Sequence, residues 1–183
     1  MNNPLRLARQ RLRLAGWDGS QPAIVVLGDK QRLYLLGAKP GGEKLRRDWP
    51  VSTGRAGFGN QQDSGRTPTG LHRVCACIGA DAPMGAVFKA RQPTGQIVVK
   101  SSDPKEDFIT TRILWLEGLE PGINQGPGID TRERYIYIHG TPHTERLGTP
   151  ASAGCVRMRA KHVIRLYRHV TPGTLTLILP DFP

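Results

Sequence analysis

Two residues in the C-terminal third can together do nucleophilic chemistry: Cys155 and, sixteen positions earlier, His139. A thiol with an ordinary pKa of ~8.5 is mostly protonated at neutral pH, so it needs a base or a cation beside it before it attacks a carbonyl. His139 closes the alternating run Tyr135-Ile136-Tyr137-Ile138-His139. In a strand, that alternation puts both tyrosines and the histidine on one face and both isoleucines on the other. Gly140 then breaks the strand. Cys155 follows Ala153 and Gly154, small neighbours that leave room for a substrate over the sulfur. The amides of Gly154 and Cys155 are candidates for an oxyanion hole. By residue type and spacing alone, the alternative is a cysteine that is simply a small buried hydrophobe.

The other reactive side chains read more plainly. Cys75 and Cys77 lie in an apolar run, where a strand would set them on one face as core residues. A metal site would need further ligands at suitable spacing, and no second Cys/His pair follows, so no metal is expected. His72, His162 and His169 read as structural or surface residues, whereas His143 lies between His139 and Cys155 and is placed to touch substrate. The stretch 52–70 is rich in glycine but lacks a Gly-Lys-Ser/Thr ending and reads as a loop framing a cleft, not a phosphate loop.

The elements that must position these residues are mostly strands. Residues 23–27 and 32–36 read as two strands about a turn at 28–31. Further strand-like runs fall at 71–78, 86–90, 97–100 and 109–116, and 113–116 is apolar at both parities, as in a strand covered on both faces. Val163, Leu166, Tyr167 and Val170 fall at helical spacing, and 174–179 gives a last strand. The division expected is an N-terminal basic arm over 1–21, with a short helix carrying Leu5, Ala8, Leu12 and Ala15 on one face, and a β-rich domain over 22–183.

The 26 basic against 15 acidic residues give a formal charge of +11, which suits an anionic partner or a well-solvated surface. No recognised nucleic-acid-binding pattern accompanies the charge, so no nucleic acid is expected. No run approaches the ~18 apolar residues of a membrane span. Arginines interrupt the leucines of the first seventeen residues, so no signal peptide is visible and the compartment stays open. The oligomeric state is not legible.

The segments His139-Gly140-Thr141 and Ser152-Ala153-Gly154-Cys155-Val156-Arg157-Met158 resemble the signature of the L,D-transpeptidase catalytic domain (YkuD type). The resemblance extends upstream to Val51-Ser52-Thr53-Gly54 and Arg66-Thr67-Pro68-Thr69-Gly70, and takes in Thr111-Arg112-Ile113-Leu114 and Gly118-Leu119-Glu120-Pro121-Gly122. It implies a mainly β, β-sandwich-like fold with one short helix after the catalytic loop. It further implies that Cys155 is the nucleophile, that His139 deprotonates it, and that the Gly140 carbonyl orients the imidazole. Ser152 would support the loop at the substrate, and Arg157 would meet a substrate carboxylate; apart from the resemblance, Tyr137 on the His139 face and His143 in the loop are further candidates to touch substrate. Ala153 stands where many members carry a second histidine.

The implied reaction needs no cofactor. A peptidoglycan tetrapeptide stem would form a thioester with Cys155, release D-alanine, and pass the acyl group to an amine of another stem. Water as acceptor would make the same site an L,D-carboxypeptidase. A toxic effector on this fold, or a wall-binding module with a decayed site, are the remaining alternatives. Arg146, Arg157, Arg159, Lys161, Arg165 and Arg168 crowd the sequence around Cys155. They would draw carboxylate-bearing stems, or else form a solvated face.

Overall fold

The computed structural model describes residues 4–39, 42–101, 103 and 106–180. Its first pairing is set by a turn: β1 (Ala23–Leu27) and β2 (Arg32–Lys39) run antiparallel, with Gln31 in the left-handed region at φ 46°. β3 (Gly42–Ser52), β4 (Gly70–Ile78), the hairpin β5 (Ala86–Lys89) and β6 (Gln92–Ile97), and β7 (Ile109–Gly118) follow. β8 (Tyr137–Thr141), β9 (Val156–Arg159) and β10 (Leu175–Leu179) complete the sheet. The strands lie side by side in the order β4-β10-β1-β2-β3-β9-β8-β7, and β7 pairs back onto β4, so these eight close into a ring. Beyond β4, the same edge of β7 carries β5, and β6 lies outside it.

Alternation along the strands creates two faces. Ile24 and Val26 of β1 turn into the principal core with Leu35, Val51, Leu116, Ile138 and Met158. The helix α2 (Ala160–Tyr167) adds Val163 and Leu166 to that core, so it packs against the inward side of β7, β8 and β9. Ala23, Val25 and Leu27 face outward onto Ala8 and Leu12 of the helix α1 (Pro4–Leu14). An isolated helix of eleven residues is marginal in water, so this docking is what holds α1. The fold is mainly β, with α2 directly after β9.

The structure departs from the sequence reading in strand placement and register, and β8 begins at Tyr137 because Tyr135 sits in a turn at φ 54°. β3 has no counterpart in that reading, because Arg47 and Asp48 break the apolar pattern while Trp49 and Val51 are buried. The strand expected at 97–100 sits instead at 92–97, since Ala90 and Arg91 both take positive φ and close a two-residue turn. Between Val74 and Ala76 a bulge inserts one residue into β4 against β7. That reverses the parity, so Cys77 reaches the principal core and the Val170 carbonyl while Cys75 lies near Glu117 and Arg132. The two thiols therefore do not share a face. Among the described residues no three His, Cys, Asp or Glu side chains are grouped to hold a metal ion, and no helix is long and apolar enough to cross a membrane.

Candidate active site

The site is built on a parallel pair of strands. In the β8–β9 ladder Ile138 pairs with Val156 and His139 with Arg157. Ile138 and Val156 enter the principal core, which turns His139 and Arg157 to the outer face. One step back along the same face stand Tyr137 and Cys155, joined by a hydrogen bond from the Tyr137 amide to Cys155 Sγ at 3.3 Å. Residues diagonal across such a pair have Cα atoms about 8 Å apart, from a ~4.8 Å strand spacing and ~3.3 Å rise, so the two side chains can meet. Gly140 is required here: a Cβ on it would lie 2.7 Å from the Thr110 carbonyl oxygen and 2.9 Å from Thr111 Cβ on β7.

The loop carrying the nucleophile is fixed from below. The Ser152 hydroxyl donates to the Cys155 carbonyl at 2.6 Å and accepts from the Gly154 amide at 3.1 Å. The Thr67 hydroxyl donates to the Gly154 carbonyl at 2.8 Å and accepts from the Gly54 amide at 2.7 Å. Gly154 itself has φ 125°, and a Cβ there would lie 3.1 Å from the Arg66 carbonyl oxygen. The glycine-rich stretch thus cradles the cysteine loop through buried hydroxyls, each of which would be costly to leave unpaired.

Protonation follows from these contacts. Burial pushes the Cys155 thiol up to about 12, against the pull of the Tyr137 amide in the other direction. The resting thiol is therefore protonated at neutral pH, and its sulfur lies 3.6 Å from the Tyr135 carbonyl, to which it donates. Burial also lowers the His139 pKa, which keeps the ring neutral. His139 Nδ1 lies 2.8 Å from the Gly140 carbonyl oxygen. A carbonyl only accepts, so Nδ1 carries the hydrogen and Nε2 is left with its lone pair. Among the described residues no hydrogen bond joins His139 to the sulfur at rest.

The four side chains expected to line the substrate are turned into protein contacts. Tyr137, His143, Ser152 and Arg157 are all buried, with relative exposures of 4%, 1%, 2% and 4%. The Tyr137 hydroxyl accepts from Arg91 Nη1 at 3.1 Å. His143 Nε2 donates to the Glu106 carbonyl at 2.6 Å. Arg157 Nη2 pairs with Asp107 Oδ2 at 2.6 Å. Arg165 and Arg168 belong to α2 and its C-cap, on the far side of the sheet from Cys155, and both are exposed. They form a solvated face, not a wall of the cleft.

The sequence reading missed Asp107, Arg134 and the supporting role of Thr67. Arg134 is half-buried, donating to the Gly59 and Arg66 carbonyls, and its charge favours the Cys155 thiolate. No motif marks either charge, because each reaches the site from a turn or from the approach to a strand. Cys155 also touches an apolar cluster with Phe88, Ile113, Trp115 and Tyr137. A cavity of about 740 Å³ opens against that cluster, walled by Ile78, Phe88, Pro93, Ile97 and Trp115 with Arg91 at its edge. That volume is in the range of small-ligand sites.

Comparison with known proteins bears on this arrangement. No curated protein matches the chain in sequence. Among solved structures, an L,D-transpeptidase from Mycobacterium smegmatis matches with a TM-score of 0.50 at 18% identity, over 87% of this chain and 58% of its own. L,D-transpeptidase 3 from Mycobacterium tuberculosis, solved in complex with a faropenem-derived adduct, gives 0.50 at 17%, over 86% and 60%. An L,D-transpeptidase from Xylanimonas cellulosilytica gives 0.50 at 20%, over 97% and 70%. The chain thus spans less than two thirds of the first two. These likenesses establish the fold. The model of the L,D-transpeptidase catalytic domain (YkuD) matches residues 21–178, and the chain belongs to that family.

Proposed function

We propose that the domain is a cysteine acyltransferase acting on peptidoglycan stem peptides, with Cys155 as nucleophile and His139 as its base. The observation that carries this is the placement of the partly buried Cys155 thiol diagonal to the His139 imidazole on one face of β8 and β9, where burial favours a protonated thiol and a neutral ring. His139 Nε2 takes the thiol proton as Sγ attacks the carbonyl between the third stem residue and the terminal D-alanine. The Gly154 amide is committed to Ser152, so the Cys155 amide is the one of the pair that meets the oxyanion. The imidazolium then protonates the departing amine of D-alanine, leaving a thioester on Cys155. An acceptor amine attacks the thioester, gives its proton to His139, and the sulfur recovers it.

In this reading Gly140 orients the base, Ser152 and Thr67 hold the loop, and the Arg134 guanidinium eases formation of the thiolate. Tyr137 serves through its amide, and His143 and Arg157 serve by holding residues 106 and 107 beside the site. The test is mass spectrometry of products from purified tetrapeptide stems. D-alanine release with a cross-linked dimer is expected, release with a tripeptide alone identifies hydrolysis, and no release overturns the reading.

A further inference from the structure

Arg157 carries only 5% side-chain exposure, whereas the Asp107 carboxylate paired with it is 41% exposed. Of the two charges beside His139, solvent meets the negative one. A carboxylate-bearing ligand would have to displace Asp107 to reach Arg157, while a cation would find Asp107 already presented. We propose that Asp107 determines acceptor specificity, its carboxylate binding the ammonium group of the amine that takes the acyl chain from Cys155. This rests on the transferase reading above and names the substrate class of its second half.

The placement is fixed on three sides. Arg157 holds Oδ2, His143 holds the backbone of the preceding residue through the Glu106 carbonyl, and β7 begins two residues later. Thr110 of β7 pairs with Gly140, next to His139. A carboxylate has lone-pair sites for several donors, so Arg157 does not exhaust it. The negative charge is also felt at the reacting groups, raising the proton affinity of both His139 and Cys155. Arg134, the other cation near the sulfur, is occupied by two backbone carbonyls.

The chemistry needs such a group. Water and an amine compete for the same thioester, and the two differ at neutral pH in that the amine arrives as a cation. Held at Asp107, the ammonium loses one proton to water and attacks the thioester carbonyl. The C–N bond forms, the C–S bond breaks, a second nitrogen proton passes through His139 Nε2 to the sulfur, and the third stays as the amide N–H.

The experiment loads Cys155 with a tetrapeptide stem and offers two acceptors at pH 7: the ε-ammonium of N-acetyl-lysine amide, and neutral hydroxylamine. Asp107→Asn is expected to lower transfer to the cation relative to hydroxylamine about 5-fold, the scale of one partly exposed ion pair. Equal changes for both acceptors, or none, would overturn the assignment. Should the variant not fold, the wild type decides: raising ionic strength from about 0.05 to 0.5 M must depress transfer to the cation and spare hydroxylamine. A ratio flat in salt overturns the proposal. Release of D-alanine, measured in the same reaction, separates the two readings. Its absence overturns the proposed reaction itself, while release with an unchanged ratio overturns only the role of Asp107.

Discussion

Arg157 stands opposite His139 in the β8–β9 ladder, and its guanidinium turns back onto Asp107 at 2.6 Å. The side chain in register with the base is therefore spent on holding a neighbouring segment of chain. Arg157 Nε is buried and without a hydrogen-bond partner among the described residues, so the pair with Asp107 is imperfectly satisfied.

Arg157→Lys is accordingly expected to slow acylation by tetrapeptide stems and by a small neutral thiol reagent by the same factor. It should also cost about 1–3 kcal/mol of folding stability, because an ammonium does not reproduce the planar fork. Paired rate measurements and a denaturant midpoint check this. A loss confined to the stem peptides would return Arg157 to substrate binding.

The protonation of the dyad sets a pH profile. Because burial lowers the His139 pKa below its ordinary 6.5, the ring stays a base well into mild acid. Acylation by a stem should hold a plateau at neutral pH and fall only below pH ~6.5. His139→Ala should slow it by about 10²–10⁴-fold. Direct alkylation of Cys155, which bypasses the histidine, should instead keep rising through pH 10, since the thiol is pushed up to about 12. An alkylation plateau near pH 8.5 would show an unburied sulfur.

Gly140→Ala forces a methyl against the backbone of β7 at Thr110. The two strands must part locally, and the carbonyl that fixes the His139 tautomer moves with them. A loss of about 1–3 kcal/mol in stability is expected, the scale of overpacking, together with loss of acylation. Retention of both in a folded variant would contradict the ladder geometry.

His72 offers a test of the fold away from the site. It is fully buried, between the Gly70 carbonyl and the Thr131 hydroxyl, and burial lowers its pKa to about 4. The unfolded chain binds that proton at ~6.5, so stability is fully present above that pH and is lost as pH falls toward 4. At ~1.4 kcal/mol per pKa unit, the loss from this residue is on the order of 3 kcal/mol. Denaturant titrations should show His72→Gln flattening that slope, and an unchanged slope would assign it to other groups.

How much of this was legible in the sequence follows from where each residue sits. Tyr137, His139 and Cys155 lie on or beside regular strands, and strand parity alone puts Tyr137 and His139 on one face. β1, β2 and Ile113-Leu114-Trp115-Leu116, buried except for the partly exposed Trp115, are apolar enough to show in pattern. β3 did not, since Arg47 and Asp48 break the apolar pattern beside the buried Trp49 and Val51. Asp107 was invisible because its partner is fifty residues away and no local motif ties them. The cysteine parity failed for the same kind of reason: a bulge in β4 is fixed by pairing with β7, not by the sequence around Cys75.

The central claim is that Cys155 alone forms the covalent intermediate, and intact-mass spectrometry after meropenem treatment tests it most directly. The account predicts a single adduct, retained in Cys75→Ala and Cys77→Ala and absent in Cys155→Ala. An adduct that survives Cys155→Ala would contradict it.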